Sequence, residues 1–330
     1  MNEEMTEFKI RFFDEIDDPH QVTLLFQLSL LFPAMPRVLN ELRANDDRYT
    51  PEFGIFAIAK NGDVAAGHLL MKIPTETTDG RLEIGGVNAV GTRPDSSRRG
   101  AMTAVMNASH QYFREHGLEH SFLTTSSRLV AMAFYEHLGY VELAKLHIAV
   151  KYSHQFGPSE QPEIAVRQFS EGDISQIAQI FRHSVAGSYG FTHRPDNFFK
   201  ARNHVVGLEL KPEAKVRIAQ RDNGVSGYAY WESTPSASEA YEIMALDRAS
   251  FHSLLRDAER RNPGAEMVVW CDGLSSREIT WIQEAGYAGP IETYGRALIR
   301  STAGKTDSRE VRTMYGVASG NFRLGLLDQT

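Results

Sequence analysis

The sequence predicts an α/β fold with mixed (α+β) sheets, used twice in tandem. Three observations predict it: the length, a recurring order of strand and helix signals, and helices closed by glycine at matching places in each half. The chain has 330 residues, and at roughly 150 residues per domain that length corresponds to two domains. Hydrophobic residues make up 42% and charged residues 23%, a balance that supports a buried core in each domain. It excludes disorder as a description of the whole chain.

The elements follow in order. Residues 10–17 and 166–173 each read as a short strand leading into a helix, and they share Arg, Phe, Glu and Asp in register (Arg11/Arg167, Phe13/Phe169, Glu15/Glu171, Asp17/Asp173). Asp18 is placed as an N-cap with Pro19 in the first helical position. Ser170 and Asp173 have the spacing of a capping box. Residues 54–60 and 64–73 form strands joined by an Asn61-Gly62-Asp63 turn, and residues 216–221 and 225–231 repeat the plan around Asp222-Asn223-Gly224. Asn-Gly between apolar runs is a strong hairpin signal. Leu138-Gly139-Tyr140 and Ala285-Gly286-Tyr287 each end a helix and start a strand, where glycine suits a left-handed cap. Each half therefore reads β-α-α-β-β-β-α-β-α-β. The first domain is placed at 1–153, a Pro- and Gly-containing linker at 154–163, the second domain at 164–300 and a tail at 301–330. The apolar end of the tail, residues 322–327, is expected to dock on the body.

Composition removes several function classes. Lys plus Arg is 35 and Asp plus Glu is 42, for a net charge of −7. Nucleic-acid binding calls for clustered cations, so no nucleic-acid partner is expected, and the acidic balance favours a cationic small molecule. The single cysteine, Cys271, permits no internal disulfide and fits a reducing compartment. Residues 1–9 carry Glu3, Glu4 and Glu7 and no apolar run, unlike a secretory signal. The most apolar stretch, 22–32, is interrupted by Gln27 and Ser29 and falls short of the ~20 residues of a membrane span. A cytoplasmic protein with no membrane partner is expected. No metal site is expected, because His116 and His120 are separated by a helix-ending glycine. Nothing in the sequence excludes a homo-oligomer.

Residues 82–117 carry the chemistry. Residues 82–92 are strand-like, Pro94-Asp95-Ser96-Ser97-Arg98-Arg99-Gly100 is a polar loop, and residues 101–116 are a helix stopped by Gly117. The first amides of a helix have no internal partner, the helix dipole adds positive potential there, and together they receive phosphate groups. Arg98 and Arg99 add charge-assisted donors, and Gly100 lets the backbone approach a ligand closely.

The stretch Ser97-Arg98-Arg99-Gly100-Ala101-Met102 resembles the pyrophosphate loop of GNAT N-acetyltransferases. Gly100 matches, whereas Ser97 stands where Arg or Gln is usual and Met102 where Gly or Ala is usual. Arg98-Arg99-Gly100 followed by Ala101 to Met106, and preceded by Gly86-Val87-Asn88-Ala89-Val90-Gly91-Thr92-Arg93-Pro94, is similar to the enhanced-intracellular-survival (Eis) branch, which is a tandem GNAT. A second motif of the family, Asn-x-x-Ala-x-x-Phe-Tyr-Glu-x-x-Gly-[Phe/Tyr], is matched by residues 128–140 except that Arg128 replaces the leading Asn.

The resemblance implies two tandem GNAT folds, with acetyl-CoA as cosubstrate and an amine as acceptor. It implies that Val90, Gly91 and Thr92 pair with the pantetheine arm and that an amide such as that of Val90 steadies the oxyanion. Arg98, Arg99, Gly100, Ala101, Met102 and Thr103 would hold the pyrophosphate, and Arg128 would stand at the Asn position of the second motif. Tyr135 would protonate the departing thiolate. For the base several options stay open: Glu83 at the start of the fourth strand, His68, a water chain, or the C-terminal carboxylate of Thr330, by analogy with the Eis branch. The second half has neither motif, with Ile282 at the place of Tyr135. It is expected to bind no coenzyme A and to complete the acceptor pocket. The rival expectations are a non-catalytic acyl-CoA sensor, a mycothiol-synthase-like enzyme and an aminoacyl-transferring tandem GNAT.

Overall fold

The apolar runs form strands and the amphipathic stretches form helices largely where their periodicities place them. The computed structural model describes residues 7–31, 34–156, 162–199, 201, 215–221 and 224–328. The first half contains β1 (Phe8–Phe12), α1 (His20–Leu30), α2 (Pro36–Asn45), β2 (Tyr49–Ala59), β3 (Val64–Thr77), β4 (Gly80–Thr92), α3 (Ala101–Glu115), β5 (His120–Ser126), α4 (Val130–His137) and β6 (Val141–Lys151). The second half contains β7 (Ala165–Gln168), α5 (Ile174–Ser184), β8 (Tyr189–Gly190), β9 (Lys215–Arg221), β10 (Gly224–Ser233), β11 (Ala237–Ala245), α6 (Arg248–Arg261), β12 (Glu266–Trp270), α7 (Ser276–Glu284) and β13 (Ala288–Ser301). The tail adds α8 (Ser308–Met314) and β14 (Phe322–Arg323). The Ser170/Asp173 capping box is present. Gly139 and Gly286 have φ of 88° and 87°, the left-handed conformation that ends α4 and α7 and turns the chain into β6 and β13.

The two halves are not separate sheets. All the described strands join one mixed sheet, in the order β1-β2-β3-β4-β5-β13-β6-β12-β11-β10-β9-β7, with β8 and β14 attached at β3. The order is nearly palindromic, which is the repeat expressed in space. At its centre the halves exchange strands. β13 of the second half lies between β5 and β6 of the first, antiparallel to both, and β6 in turn pairs with β12. Leu298 of β13 is fully buried in the core that β4, β5, α3 and α4 build. The sheet is thus continuous from one half to the other through β13, β6 and β12.

Helices cover both faces, as a sheet with two apolar faces requires. The first-half core under α3 and α4 contains Val87, Val105, Met106, Phe113, Leu123 and Tyr135. On the opposite face α1 and α2 pack Val22, Leu25, Phe26 and Leu39 against Phe53 and Phe56. The second half repeats this arrangement, with Phe251, Leu254 and Ile282 of α6 and α7 in its core. The apolar end of the tail docks as the sequence suggests: β14 pairs with β8, and Leu324 and Leu327 are buried.

Candidate active site

A bulge in β4 opens the site. Gly91 pairs with Gly67 and Asn88 with Leu69, so Ala89 and Val90 together oppose His68 alone. Ala89 has φ 56°, a left-handed conformation uncommon for alanine, and the extra residue bends the strand. β4 and β5 are parallel and paired only at Gly85–Ser121 and Gly86–Phe122. Beyond that point they diverge into a V, with β4 running on to Thr92 and β5 to Ser126. The other edge of β5 stays paired with β13 as far as Ser126. Among the described residues the inner edge of β4 from Asn88 to Thr92 therefore has no strand partner, and an amide-bearing chain can pair with it as an added strand.

Gly91 is fixed by packing as well as by any ligand. A Cβ there would lie 2.3 Å from Ser29 Oγ of α1. Gly91→Ala is expected to turn the Ser29 hydroxyl off its bond to Leu25 O and cost about 1 kcal/mol, read as a lower midpoint in urea denaturation.

The loop at the mouth of the V has the features of an anion site. Gly100 precedes α3 with φ 82°, and a Cβ on it would meet nothing within 4 Å. α3 has no side-chain N-cap, which leaves its leading amides, from Ala101 to Thr103, facing outward. Arg98 is exposed, with φ 61°. Arg99 is paired with Glu7 and lies 5.7 Å from the Phe8 ring. Thr103 is exposed. The Met102 side chain packs toward the α3–α4 core, so its contribution to a phosphate is its amide. Arg93 escaped the sequence reading. It bridges Asp63 at 3.1 Å and Asp95 at 2.8 Å, tying this loop to the β2–β3 turn. Its partner Asp63 lies thirty residues away, and no local pattern could have revealed that contact.

Tyr135 lies on the inner side of α4. It is 5% exposed, its ring meets Tyr140 edge-on at 5.8 Å, and burial pushes its phenol up to about 12. The described residues give its hydroxyl no hydrogen-bond partner. Behind it the Tyr140 hydroxyl meets Ser121 Oγ at 2.6 Å and His110 Nε2 at 3.0 Å, and His110 meets the Arg300 guanidinium. Burial first, and then the charge of Arg300, hold His110 down to about 3.

The base candidates separate in space. His68 is fully buried beneath α3, bonded to Ser109 Oγ at 2.6 Å and Leu69 O at 2.9 Å, and burial lowers it to about 4. It is a neutral core group. Glu83 is about half exposed, pairs with Lys72 at 3.1 Å, and lies three residues ahead of the last β4–β5 pair. Arg128, at the end of β5, stacks on Tyr294 of β13 at 4.6 Å. Thr330 lies outside the described residues. Cys271 is buried, and desolvation raises its thiol to about 12, so it is not poised as a nucleophile.

The second half keeps the V but fills it. β11 and β12 pair in parallel from Ala237–Glu266 to Ala240–Val269, and β11 bulges at Tyr241. Beyond the bulge Glu242 binds Arg194 at 2.5 Å and accepts from the Tyr228 hydroxyl at 2.7 Å. Asp328 from the tail binds the same guanidinium at 2.7 Å. Arg194 also lies 3.7 Å from the Phe181 ring and 4.2 Å from that of Phe198. The Leu324 amide donates to Asp272 O at 2.9 Å, so the tail runs along the end of β12. At the start of α6 the Asp247 carboxylate accepts from the Ser250 amide at 2.9 Å, which places a negative charge where a phosphate would sit. Arg194, Glu242 and Asp328 are all buried, and breaking a buried ion pair by deleting one partner costs about 3–5 kcal/mol. Asp328→Ala leaves Arg194 paired with Glu242, so the loss is expected to be smaller, about 1–3 kcal/mol in denaturant titration.

The comparisons bear on the fold. The profile of the acetyltransferase (GNAT) domain family matches residues 15–142, so that part of the chain is similar to a GNAT acetyltransferase domain. A GCN5-related N-acetyltransferase from Anabaena variabilis superposes with a TM-score of 0.67 at 12% identity, over 89% of this chain and 73% of that one. Eis1 from Mycobacterium abscessus superposes with a TM-score of 0.58 at 15% identity, over 89% and 74%. Saccharomyces cerevisiae N-myristoyltransferase with bound myristoyl-CoA gives 0.63 at 8% identity, over 94% and 89%. The tandem fold is thus shared with GNAT enzymes, including one of the Eis type. No curated protein matches the chain in sequence. Among the described residues no helix is long and apolar enough to cross a membrane.

Proposed function

We propose that the chain transfers an acetyl group from acetyl-CoA to the primary amine of a small cationic acceptor. The observation that carries the reading is the V between β4 and β5, with an uncapped α3 N-terminus at its mouth and Tyr135 on its wall. The pantetheine arm pairs with β4 through Val90, Gly91 and Thr92. The diphosphate rests on the amides from Gly100 to Thr103 with Arg98 and Arg99 beside it, and Arg128 closes the far side. The amine nitrogen attacks the thioester carbonyl carbon while the Val90 amide steadies the oxyanion. The C–S bond then breaks, and the thiolate takes the proton of Tyr135. The proton of the new ammonium passes to a carboxylate or to water, Glu83 and the Thr330 carboxylate being the two carboxylate candidates. No covalent intermediate on the enzyme is involved.

Acetyl is favoured over longer acyl groups by the floor of the V. At Gly86 a Cβ would meet Ile73 at 2.6 Å and Met71 at 3.0 Å. Phe122 opposite is fully buried, 4.5 Å from the Phe191 ring. The second half takes no cofactor on this reading, because its V holds Arg194, Glu242 and Asp328.

The test is thiol release from acetyl-CoA with a broad panel of amines, polyamines and amino sugars included. Amine-dependent release supports transfer, whereas tight binding without release across the panel supports the acyl-CoA sensor reading. Release with propionyl- and longer acyl-CoA is expected to fall steeply with chain length.

A further inference from the structure

α1 lies on the surface, yet its outward side is apolar. From Gln21 to Leu31 the chain carries no charged residue. Leu24, Leu28 and Leu31 recur at i, i+4 and i+7, which is one face of a helix. Leu24 and Leu28 are 40% and 44% exposed, and Leu31, at the end of the helix, is 82% exposed. Leu30 and Met35 are exposed as well. The inward side of the same helix, with Val22, Leu25 and Phe26, is fully buried. A surface helix ordinarily turns charged residues to water, so the outward leucines of α1 call for a cover.

One contact places this patch at the cleft. A Cβ on Gly91 would lie 2.3 Å from Ser29 Oγ and 3.6 Å from Leu25 Cγ. α1 therefore crosses β4 at the inner edge of the V, one residue from Val90. Leu28 and Leu30 are the chain neighbours of Ser29, and Leu31 ends the helix with φ 54°. α3 covers the opposite face of β4, where a Cβ on Gly85 would meet Phe113 at 2.5 Å. With the diphosphate resting on α3, the face left for the acceptor is the one that α1 borders.

We propose that the outward leucines of α1 receive the apolar part of the acceptor, a primary amine carried on an alkyl or aryl group. The inference rests on the acetyl-transfer reading above and names the class of its acceptor: the nitrogen is the cation of that reading, and the remainder is apolar. Size selects this occupant. Five side chains exposed to this degree present on the order of 500 Å², the scale of a functional patch on a single molecule. Each partner of a stable dimer buries about 800 Å². α1 also has no lysine or arginine to hold it to an anionic membrane. The chemistry gains too, because desolvation favours the neutral form of an amine, which is the form that attacks.

The test measures kcat/KM for a series of primary alkylamines from propylamine to octylamine, and for α,ω-diamines of the same lengths, by thiol release from acetyl-CoA. For the monoamines kcat/KM is expected to rise about two- to fourfold per methylene, and octylamine is expected to exceed its diamine at least tenfold. Replacing Leu28 and Leu31 together by Gln is expected to flatten the rise and leave the KM for acetyl-CoA unchanged. Both side chains are exposed, so the variant is expected to keep the wild-type circular dichroism spectrum. Transfer that is indifferent to chain length, or a rise that survives the double substitution, overturns the inference and leaves acetyl transfer standing. A dimer in sedimentation that the double substitution dissociates, or co-sedimentation with phosphatidylcholine vesicles that it abolishes, assigns the leucines to another occupant and overturns the inference as well. No release with any amine overturns the transfer reading and the inference together.

Discussion

Tyr135→Phe is expected to lower kcat by about a hundredfold or more, the range in which removing a general acid falls, with little change in the KM for acetyl-CoA. The ring stays in its pocket against Tyr140 and only the proton is lost. The pH dependence gives an independent check. Desolvation raises the phenol to about 12, so it carries its proton through the whole range in which an amine acceptor becomes neutral. Activity is expected to rise with pH as the amine deprotonates and to show no descending limb below about pH 11. The same shift contributes stability that is fully present below the ordinary phenol value of ~10 and is lost as pH rises toward 12. A Phe variant with wild-type kcat would remove Tyr135 from the chemistry.

Separating the halves is expected to abolish folding of the first one. A fragment of residues 1–161 contains every GNAT motif in the chain, yet it lacks β13. β13 pairs with β5 from Gly295–Ser126 to Ser301–His120 and with β6 along its other edge, and it places Ala297, Leu298 and Ile299 in the first-half cores. Without it, β5 and β6 become unpaired edges over an open core, a recipe for association or unfolding. The fragment is expected to show no cooperative unfolding transition, and co-expression with residues 162–330 is expected to restore soluble protein. A fragment that unfolds cooperatively alone and binds acetyl-CoA would contradict the interlocked architecture.

What the sequence disclosed and what it hid follow from the range of the interactions involved. The loop from Ser97 to Thr103 and the α4 segment around Tyr135 are local motifs, so their positions could be read along the chain. Gly139 and Gly286 announced themselves because a left-handed cap favours glycine. The bulge at Ala89 carried no such mark, since alanine is not the residue that conformation selects. The strand exchange was hidden because β6 and β13 have the same apolar pattern whichever half they join. The reason the second half departs from the first also lay out of reach: Arg194, Glu242 and Asp328 are spread over more than a hundred residues and meet only in the folded chain.

On the proposed function the chain has one acyl-CoA cleft, in the first half, beside a second cleft filled by the protein itself. Calorimetric titration of the full chain with acetyl-CoA tests this most directly. One molecule bound per chain, with affinity lost when Arg98 and Arg99 are both replaced by Ala, is the predicted result. Two molecules per chain, or a single site indifferent to the double substitution, would contradict it.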